Sequence, residues 1–421
     1  MAEYKRKQRK GFKSQPKMNK KRVKAKQEVS DIEMRPQNAP KPQKMRVVKG
    51  KKLEQKRRFK FVFYVIGLVA CVLIACELIL PAGLSDTVLN YTAVLGTGKY
   101  PIELDSSDTI NVLHKNMYYY VLTDTKLYAV SNSGKVIYSY AHRFENPVLK
   151  ASKTRALLFD QGNSNVLIFN LKGLKSEITS NEKVLNATIG EDGSYALITT
   201  ADNYACSVKV YKKSDKLVYE WFSSEDMANN VAISPNGKKI AVSTMSSQVG
   251  SYDSKISILN FKSANAEYSK EFKNTIIYSM DNVNFGGFSV ASENSYDFIS
   301  WKGKNSSQYS NEYSVNMLRN CPSGTVVVFN RESDKTDNRI AVFSKTGKMK
   351  YQMEYNGIIT DIALKGNNVY CLSDTNIFIL DTKGNIVRQE NAGFGVSRIS
   401  ITSQNKVAVI TDNVISEIKL K

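Results

Sequence analysis

Short β-strand patterns recur in groups of four along most of this 421-residue chain. Each run is rich in Val, Ile, Tyr, Phe and Thr and ends at Gly, Asn, Asp or Ser, which is typical of strands joined by tight turns. The groups begin near Thr109, Pro147, Val184, Asn229, Ile276, Ser314, Ile358 and Val396. Their starts are roughly 37 to 47 residues apart, which is the spacing of β-propeller blades.

Two turn motifs recur in phase with these groups. Gly134, Gly347 and Gly384 stand between the third and fourth strands of their groups, whereas Gly193, Gly237 and Gly324 stand between the first and second strands. Tight hairpin turns often require a positive φ, which glycine adopts without strain. The shared phase favours a propeller over an irregular all-β sandwich.

The number of blades follows from the two ends of the pattern. The last group has three strands, and one unassigned strand, Tyr100 to Leu104, precedes the first group. We therefore predict an all-β, eight-bladed propeller in which Tyr100 to Leu104 completes the final sheet and closes the ring. Seven blades are the alternative, because residues 289–310 fit the pattern poorly.

An apolar segment, Phe61 to Leu80, precedes the repeats and is long enough to cross a bilayer as a helix. Residues 1–58 hold 22 Lys and Arg but 5 Asp and Glu, whereas the chain beyond Lys60 is near neutral. By the positive-inside rule this asymmetry predicts a cytoplasmic N-terminus and an extracytoplasmic C-terminal domain. The expected organisation is a disordered basic tail (1–58), a transmembrane helix (59–80), a linker (81–99) and the propeller (100–421).

Lipoprotein processing is the alternative to this signal anchor. The sequences ending at Cys71 and Cys76 both resemble a bacterial lipobox, in which the cysteine is lipidated and the preceding chain is removed. The long basic tail favours the signal anchor. Attraction of the tail to anionic lipid is the simpler role for its charge, and nucleic-acid binding is disfavoured because the tail has few aromatic residues for stacking.

The strand repeat resembles that of quinoprotein-like and WD40/YVTN-like propellers. Examples are the segments from Val130 to Val136 and from Leu380 to Ile386, in which Asp or Ser precedes a Gly-Lys or Gly-Asn turn. The overall plan resembles a membrane-anchored β-propeller family of unknown function from Firmicutes. The tryptophan that quinone-type repeats carry after the turn is missing here, so the resemblance implies the fold without a quinone cofactor.

Residues for catalysis are scarce in the sequence. His114 and His142 are the only histidines, too few for a histidine-rich metal site, and ordinary strand or turn positions explain both. Neither a dinucleotide-binding nor a P-loop motif occurs. We expect no cofactor and no metal.

Longer connections between second and third strands suggest a binding face. In a blade these connections lie on the face opposite the short glycine turns, and we expect three of them to gather around the central channel. Binding residues often lie on such loops. The candidates are Asp202, Tyr204, Gln248, Tyr252, Asp253, Arg331, Glu332 and Asp337.

Two functional hypotheses follow. The first is a non-enzymatic binding or scaffolding module of the bacterial cell envelope, anchored in the cell membrane and engaging a protein or cell-wall glycan. The second is a hydrolase or lactonase-like propeller that uses carboxylates in the central channel. The absence of catalytic motifs favours the first hypothesis.

Overall fold

The computed structural model describes residues 52–80, 82–105, 108–248, 250–263, 265–284, 286–303 and 306–421. Two helices come first, α1 (Lys52–Ile79) and α2 (Gly83–Val94). Helix α1 begins inside the segment that we expected to be disordered; the rest of that segment lies outside the described residues. Within α1, Phe59–Ile79 is long and apolar enough to cross a membrane, and it is the one such span in the described part of the chain.

Eight four-stranded antiparallel sheets follow in the described residues, and they are the blades of an all-β propeller. Blades 1 and 2 consist of β2 (Thr109–Lys115), β3 (Tyr118–Thr123), β4 (Lys126–Ser131) and β5 (Val136–Ala141), then β6 (Pro147–Ala151), β7 (Ala156–Asp160), β8 (Asn165–Asn170) and β9 (Gly173–Thr179). Blades 3 and 4 consist of β10 (Val184–Ile189), β11 (Tyr195–Ala201), β12 (Tyr204–Tyr211) and β13 (Leu217–Ser223), then β14 (Met227–Ile233), β15 (Lys239–Gln248), β16 (Ser251–Asn260) and β17 (Tyr268–Phe272).

The second half of the ring repeats this arrangement. Blades 5 and 6 consist of β18 (Ile277–Asn284), β19 (Gly287–Ser292), β20 (Ser295–Ser300) and β21 (Ser306–Ser310), then β22 (Ser314–Cys321), β23 (Gly324–Arg331), β24 (Asp334–Ser344) and β25 (Met349–Asn356). Blade 7 consists of β26 (Ile359–Lys365), β27 (Asn368–Ser373), β28 (Asn376–Leu380) and β29 (Ile386–Asn391). The poorly patterned stretch 289–310 thus forms three strands of blade 5, which confirms eight blades over seven.

Blade 8 closes the ring with strands from both ends of the propeller. It consists of β30 (Arg398–Ser403), β31 (Lys406–Ile410), β32 (Val414–Lys419) and β1 (Ile102–Glu103). Strand β1 pairs with β32, with Ile102 opposite Ile415 and Glu103 opposite Val414. The predicted closure by the segment before blade 1 is confirmed, and it removes the free edge that β32 would otherwise present.

The core lies between neighbouring blades, where the second and third strands present buried aliphatic and aromatic side chains on both sides. Strand β3 is buried along its whole length. Tyr119 packs in the cluster shared with blade 8, and Tyr120 packs in the cluster shared with blade 2. Period-two alternation places successive side chains on opposite sides of a sheet. Because both sides meet another blade, these strands are hydrophobic throughout and do not alternate.

The linker expected at 81–99 contains helix α2, which packs on the propeller. Leu89, Ala93 and Val94 contact the cluster between blades 1 and 2. Asn90 donates from Nδ2 to the Lys153 carbonyl at 3.1 Å. Tertiary contact therefore orders a segment whose glycines had suggested a stalk.

The antiparallel order gives the propeller two distinct faces. The first–second and third–fourth turns of every blade lie on one face, which we call the tight-turn face. The second–third turns and the connections between blades lie on the other, the hairpin-tip face. Helix α2 is held by side chains from the tight-turn face, including Lys135, whose Nζ donates to the Ala93 and Leu95 carbonyls at 3.0 and 2.8 Å.

Candidate functional site

The three connections expected as long loops lie at the tips of β-hairpins whose strands pair almost to the turn. Strands β15 and β16 pair as far as Gln248 opposite Ser251, and β23 and β24 pair as far as Arg331 opposite Asp334. The polar residues that suggested loops continue the strand pairing instead. These tips belong to the second and third strands of their blades, whereas the first strands line the channel.

Blades 3 and 4 carry five of the candidate residues. Asp202 is exposed in the turn between β11 and β12. Tyr204 and Tyr252 are 47% and 49% exposed, and the Tyr204 ring contacts Phe222 with centroids 4.8 Å apart. Gln248 ends β15, and its side chain lies outside the described part of the structure.

Asp253 lies near the tip of the blade 4 hairpin, opposite Ser246. Its Oδ1 accepts from the Asn274 backbone N–H at 2.8 Å, and its Oδ2 pairs with Lys273 Nζ at 2.9 Å. The Asn274 hydrogen bond, followed by the Lys273 ammonium, lowers the pKa of Asp253. This carboxylate holds the connection to blade 5, which is a structural role.

Arg331 and Asp337 come together in blade 6, around a tyrosine that the sequence did not single out. Arg331 Nε donates to Asp337 Oδ2 at 2.9 Å, and the Tyr313 hydroxyl lies 3.0 Å from the same oxygen. The guanidinium carbons of Arg331 and Arg339 lie 5.0 and 4.7 Å from the Tyr313 ring centroid. The hydrogen bonds that Arg331 donates to the Tyr313 hydroxyl and to Asp337 raise the pKa of Arg331. Glu332 accepts weakly from Ser314 Oγ at 3.5 Å.

An open depression of about 420 Å³ lies beside this blade 6 cluster. Its lining is polar and consists of Asp334, Asp337, Glu354, Tyr355 and Asn356. Among the described contacts, none joins these residues to the hairpin tips of blades 3 and 4. The candidate residues thus share one face but form two separate groups.

Exposed apolar side chains also occur on the hairpin-tip face. Phe394 is the most prominent, being 91% exposed between Gly393 and Gly395 in the connection from blade 7 to blade 8. The other exposed apolar side chains on this face are Ile110, Tyr204, Phe222, Met227, Tyr252, Tyr278 and Ile358. Such side chains on a charged rim are typical of protein interaction surfaces.

Charge is divided sharply between the two faces. Among described residues, the turns of the tight-turn face carry Lys135, Lys153, Arg155, Lys172, Lys212, Lys213, Lys216, Lys238, Lys262, Lys302, Lys345, Lys348 and Lys383 against Glu191, Asp192, Asp215, Glu267 and Asp381. The turns and connections of the hairpin-tip face carry Asp105, Asp108, Asp124, Glu145, Glu182, Asp202, Glu225, Asp226, Glu293, Glu312, Glu332, Asp374 and Asp412 against Arg143, Lys183 and Lys273. The nearly neutral propeller therefore has one basic face and one acidic face.

The channel wall is polar, and most of its polar groups bind the next blade. Asp361 of blade 7 accepts from Arg319 of blade 6 at 3.1 Å and from the Ile399 backbone N–H of blade 8 at 3.0 Å. Lys150 of blade 2 and Asp281 of blade 5 approach to 3.6 Å, so side chains narrow the channel at that level. Asparagines make further inter-blade bonds: Asn186, Asn229, Asn230, Asn282 and Asn320.

Both histidines take structural positions, His114 in blade 1 and His142 in the connection from blade 1 to blade 2. His114 Nδ1 lies 2.9 Å from Ser400 Oγ, which links blade 1 to blade 8. His142 Nε2 lies 3.1 Å from the Thr123 carbonyl. Burial, with the positive charges of Lys365 and Lys115, lowers the pKa of His114 to about 4. The described residues contain no group of three His, Cys, Asp or Glu side chains placed to hold a metal ion.

Comparison with known proteins assigns the chain to a family. Residues 89–420 match the model of a family of unknown function, DUF5711. The chain belongs to this family. No curated protein matches it significantly.

Solved structures similar to this DUF5711 protein show the propeller fold. The Dos1 propeller has a TM-score of 0.55 and 12% identity, covering 77% of this chain and 95% of that one. The C-terminal WD40 domain of Sif2 has a TM-score of 0.52 and 10% identity, covering 77% and 100%. BamB from Moraxella catarrhalis has a TM-score of 0.48 and 12% identity, covering 77% and 99%. At these identities the likeness concerns the fold alone.

Sequence reasoning missed Tyr313 and the division of charge. Tyr313 lies in a connection between blades, and only the fold brings it to Arg331 and Asp337. The charge division could have been found from the sequence by sorting turns according to strand number. Lysine dominates the turns after first and third strands, and Asp or Glu dominates those after second and fourth strands.

Proposed function

We propose that this protein is a membrane-anchored binding module of the cell envelope. In this proposal Phe59–Ile79 spans the membrane, the basic tail stays in the cytoplasm, and the propeller engages a protein or a wall glycan outside. The excess of Lys and Arg before the helix supports this orientation.

The observation that carries the proposal is the attachment of the end of α1 to the tight-turn face. Glu77 accepts from the Leu84 and Ser85 backbone N–H groups at 2.7 and 3.0 Å, and its Oε1 lies 3.7 Å from Lys213 Nζ. Lys213 belongs to the third–fourth turn of blade 3. A helix that leaves the membrane here places the opposite, hairpin-tip face away from the bilayer.

The hairpin-tip face is therefore the surface that we assign to partner binding. It carries the exposed Tyr204, Tyr252 and Phe394 together with an excess of carboxylates. Tyrosine and phenylalanine supply large contact areas at interfaces, and the surrounding acids favour a partner with basic groups. The channel carboxylates Asp281 and Asp361 are engaged by Lys150 and Arg319, which favours binding over catalysis.

Crosslinking in intact cells followed by mass spectrometry tests the proposal. A variant with Tyr204→Ser, Tyr252→Ser and Phe394→Ser should lose the crosslinked partner. The matched control replaces exposed residues in the middle of fourth strands, away from both faces: Ser139→Ala, Glu177→Ser and Gln389→Ser. Full retention of the partner by the first variant, or equal loss in both, would count against the hairpin-tip face.

A further inference from the structure

Lysine side chains without a partner are spread around the tight-turn face. They are exposed, and no hydrogen bond or ion pair to their ammonium groups occurs among the described residues. They come from blades 2 to 7 and are Lys172, Lys212, Lys216, Lys238, Lys262, Lys302, Lys348 and Lys383. Their ammonium groups therefore do not link one blade to another among the described residues.

Apolar side chains stand beside these lysines. The fourth strand of several blades begins with an exposed aliphatic residue or methionine just after the turn: Val136, Leu174, Leu217, Met349, Ile386 and Val387. A rim that combines lysine with exposed apolar side chains resembles the composition of interfacial membrane-binding surfaces, where the charges meet headgroups and the apolar groups reach the acyl boundary.

Helix α2 holds this same face close to the end of α1. Arg155, at the first–second turn of blade 2, pairs with Asp86 of α2 at 2.9 Å. Lys213 Nζ lies 3.4 Å from the Ala82 carbonyl, and Lys135 binds the other end of α2. The turns of blades 1, 2 and 3 thus hold the described segment from Ala82 through α2 against the tight-turn face.

We infer that the tight-turn face lies against the anionic phospholipid headgroups of the bilayer that α1 crosses. This inference rests on the proposed membrane anchoring. Each lysine near an anionic surface strengthens the attraction by roughly fivefold, and the effect weakens with salt. The acids of the hairpin-tip face are repelled by the same surface, so charge fixes which face meets the membrane.

Lysine footprinting on the full-length chain tests this arrangement. The protein is inserted into nanodiscs of phosphatidylcholine alone or with phosphatidylglycerol, and an amine-reactive ester labels accessible lysines for mass spectrometry. In the anionic discs we expect at least threefold protection of Lys302, Lys348 and Lys383, with Lys183 and Lys273 on the hairpin-tip face unchanged. High salt should remove the protection. Equal labelling in the two kinds of disc would overturn the inference.

Charge variants test whether the protection depends on the lysines of the tight-turn face. The variant Lys172→Gln, Lys302→Gln, Lys348→Gln and Lys383→Gln should reduce the protection of Lys216 and Lys238 by at least threefold. The control variant Thr125→Glu, Ser224→Glu, Asn294→Glu and Ser333→Glu changes the net charge equally on the hairpin-tip face and should leave that protection intact. Equal effects of the two variants would contradict a specific role of the tight-turn face.

Two further outcomes distinguish the proposed membrane anchoring from the inferred lipid contact, and lipid from a soluble polyanion. A chain that fails to enter the nanodiscs overturns the proposed anchoring as well, whereas an inserted chain without lipid-dependent protection overturns only this inference.

Soluble polyphosphate is added to the neutral discs as a competitor of another class. Protection by polyphosphate without protection by phosphatidylglycerol would overturn the lipid assignment in favour of a soluble polyanion.

Discussion

Arg155 Nη2 lies 2.9 Å from Asp86 Oδ2, joining the first–second turn of blade 2 to helix α2. Arg155 is only 4% exposed, and its Nη1 also donates to the Lys213 carbonyl at 2.8 Å. One guanidinium thus connects α2, blade 2 and blade 3. Through these contacts, helix α2 is part of the folded domain.

Removing the carboxylate from this pair should destabilise the protein. Asp86→Ala leaves a buried guanidinium with one carbonyl partner, and we expect a loss of about 2–3 kcal/mol in the free energy of unfolding. Chemical denaturation of the purified chain, followed by tryptophan fluorescence, measures it. The exposed Asp412→Ala is the control and should cost less than about 0.5 kcal/mol. Equal stability of the two variants would show that Asp86 does not fasten α2.

Ring closure depends on Ile102 of the short strand β1. Its side chain is 8% exposed and packs in the cluster between blades 8 and 1. Ile102→Ala should therefore cost about 2–4 kcal/mol, through lost burial and the cavity left behind. Ile386→Ala, at an exposed position of blade 7, is the matched control with an expected cost below about 0.5 kcal/mol. Similar midpoints in denaturant for both variants would argue against closure through β1.

Mild acid should weaken the junction of blades 1 and 8 through His114. Its pKa is lowered to about 4 by burial and neighbouring lysines, against about 6.5 in the unfolded chain. The unfolded state therefore binds the proton first, and stability present above pH 6.5 is lost as the pH falls toward about 4. Over this pH range the free energy of unfolding should fall by about 2–3 kcal/mol.

His114→Gln separates this effect from other titrating groups. His142, whose pKa is also lowered by burial, and the carboxylates contribute equally to both proteins. The difference in unfolding free energy between wild type and variant should shrink as the pH falls from 7 to 4. A difference that stays constant over this range would exclude His114 as the source.

A second ion pair supports blade 5. Asp297 is fully buried, and Lys270 Nζ of blade 4 lies 2.7 Å from its Oδ1. Burial raises the pKa of Asp297, and Lys270 opposes that rise. Lys270→Met leaves the carboxyl without its cation, so it should lower stability by about 2–4 kcal/mol at pH 7 and by less near pH 4. Lys302→Met, on an exposed turn, is the control, and a pH-independent loss would contradict this explanation.

The strand pattern predicted the fold because most propeller strands carry a local signal. Gly134 and Gly384 adopt φ values of +80° and +88° at the turns where their motifs were found. The seven complete groups begin within two residues of the expected positions, as with Pro147 and Ser314. The strand pattern was least clear in blade 5, because its polar runs become strands through pairing with neighbouring strands.

The candidate residues were less predictable because their environment depends on contacts distant in sequence. Polar runs near Met245 and Arg331 suggested loops, yet cross-strand pairing continues through them as far as Gln248 and Arg331. No sequence pattern around Asp361 indicates that it is buried between Arg319 and Ile399. Its environment is formed by residues of three blades that are distant in sequence.

The sequence by itself determined the apolar segment, most β-strands and their turns, since each depends on residues close together in the chain. Tertiary structure decided between eight and seven blades, because blade 8 joins β1 to β32 from opposite ends of the propeller. Tertiary structure decided that Gly83–Val94 is a helix packed on the propeller, because its stability comes from contacts such as Asp86 with Arg155. It also decided how charge is distributed. Lysines and carboxylates that nearly cancel along the chain are separated in space, because alternate turns of antiparallel strands lie on opposite faces.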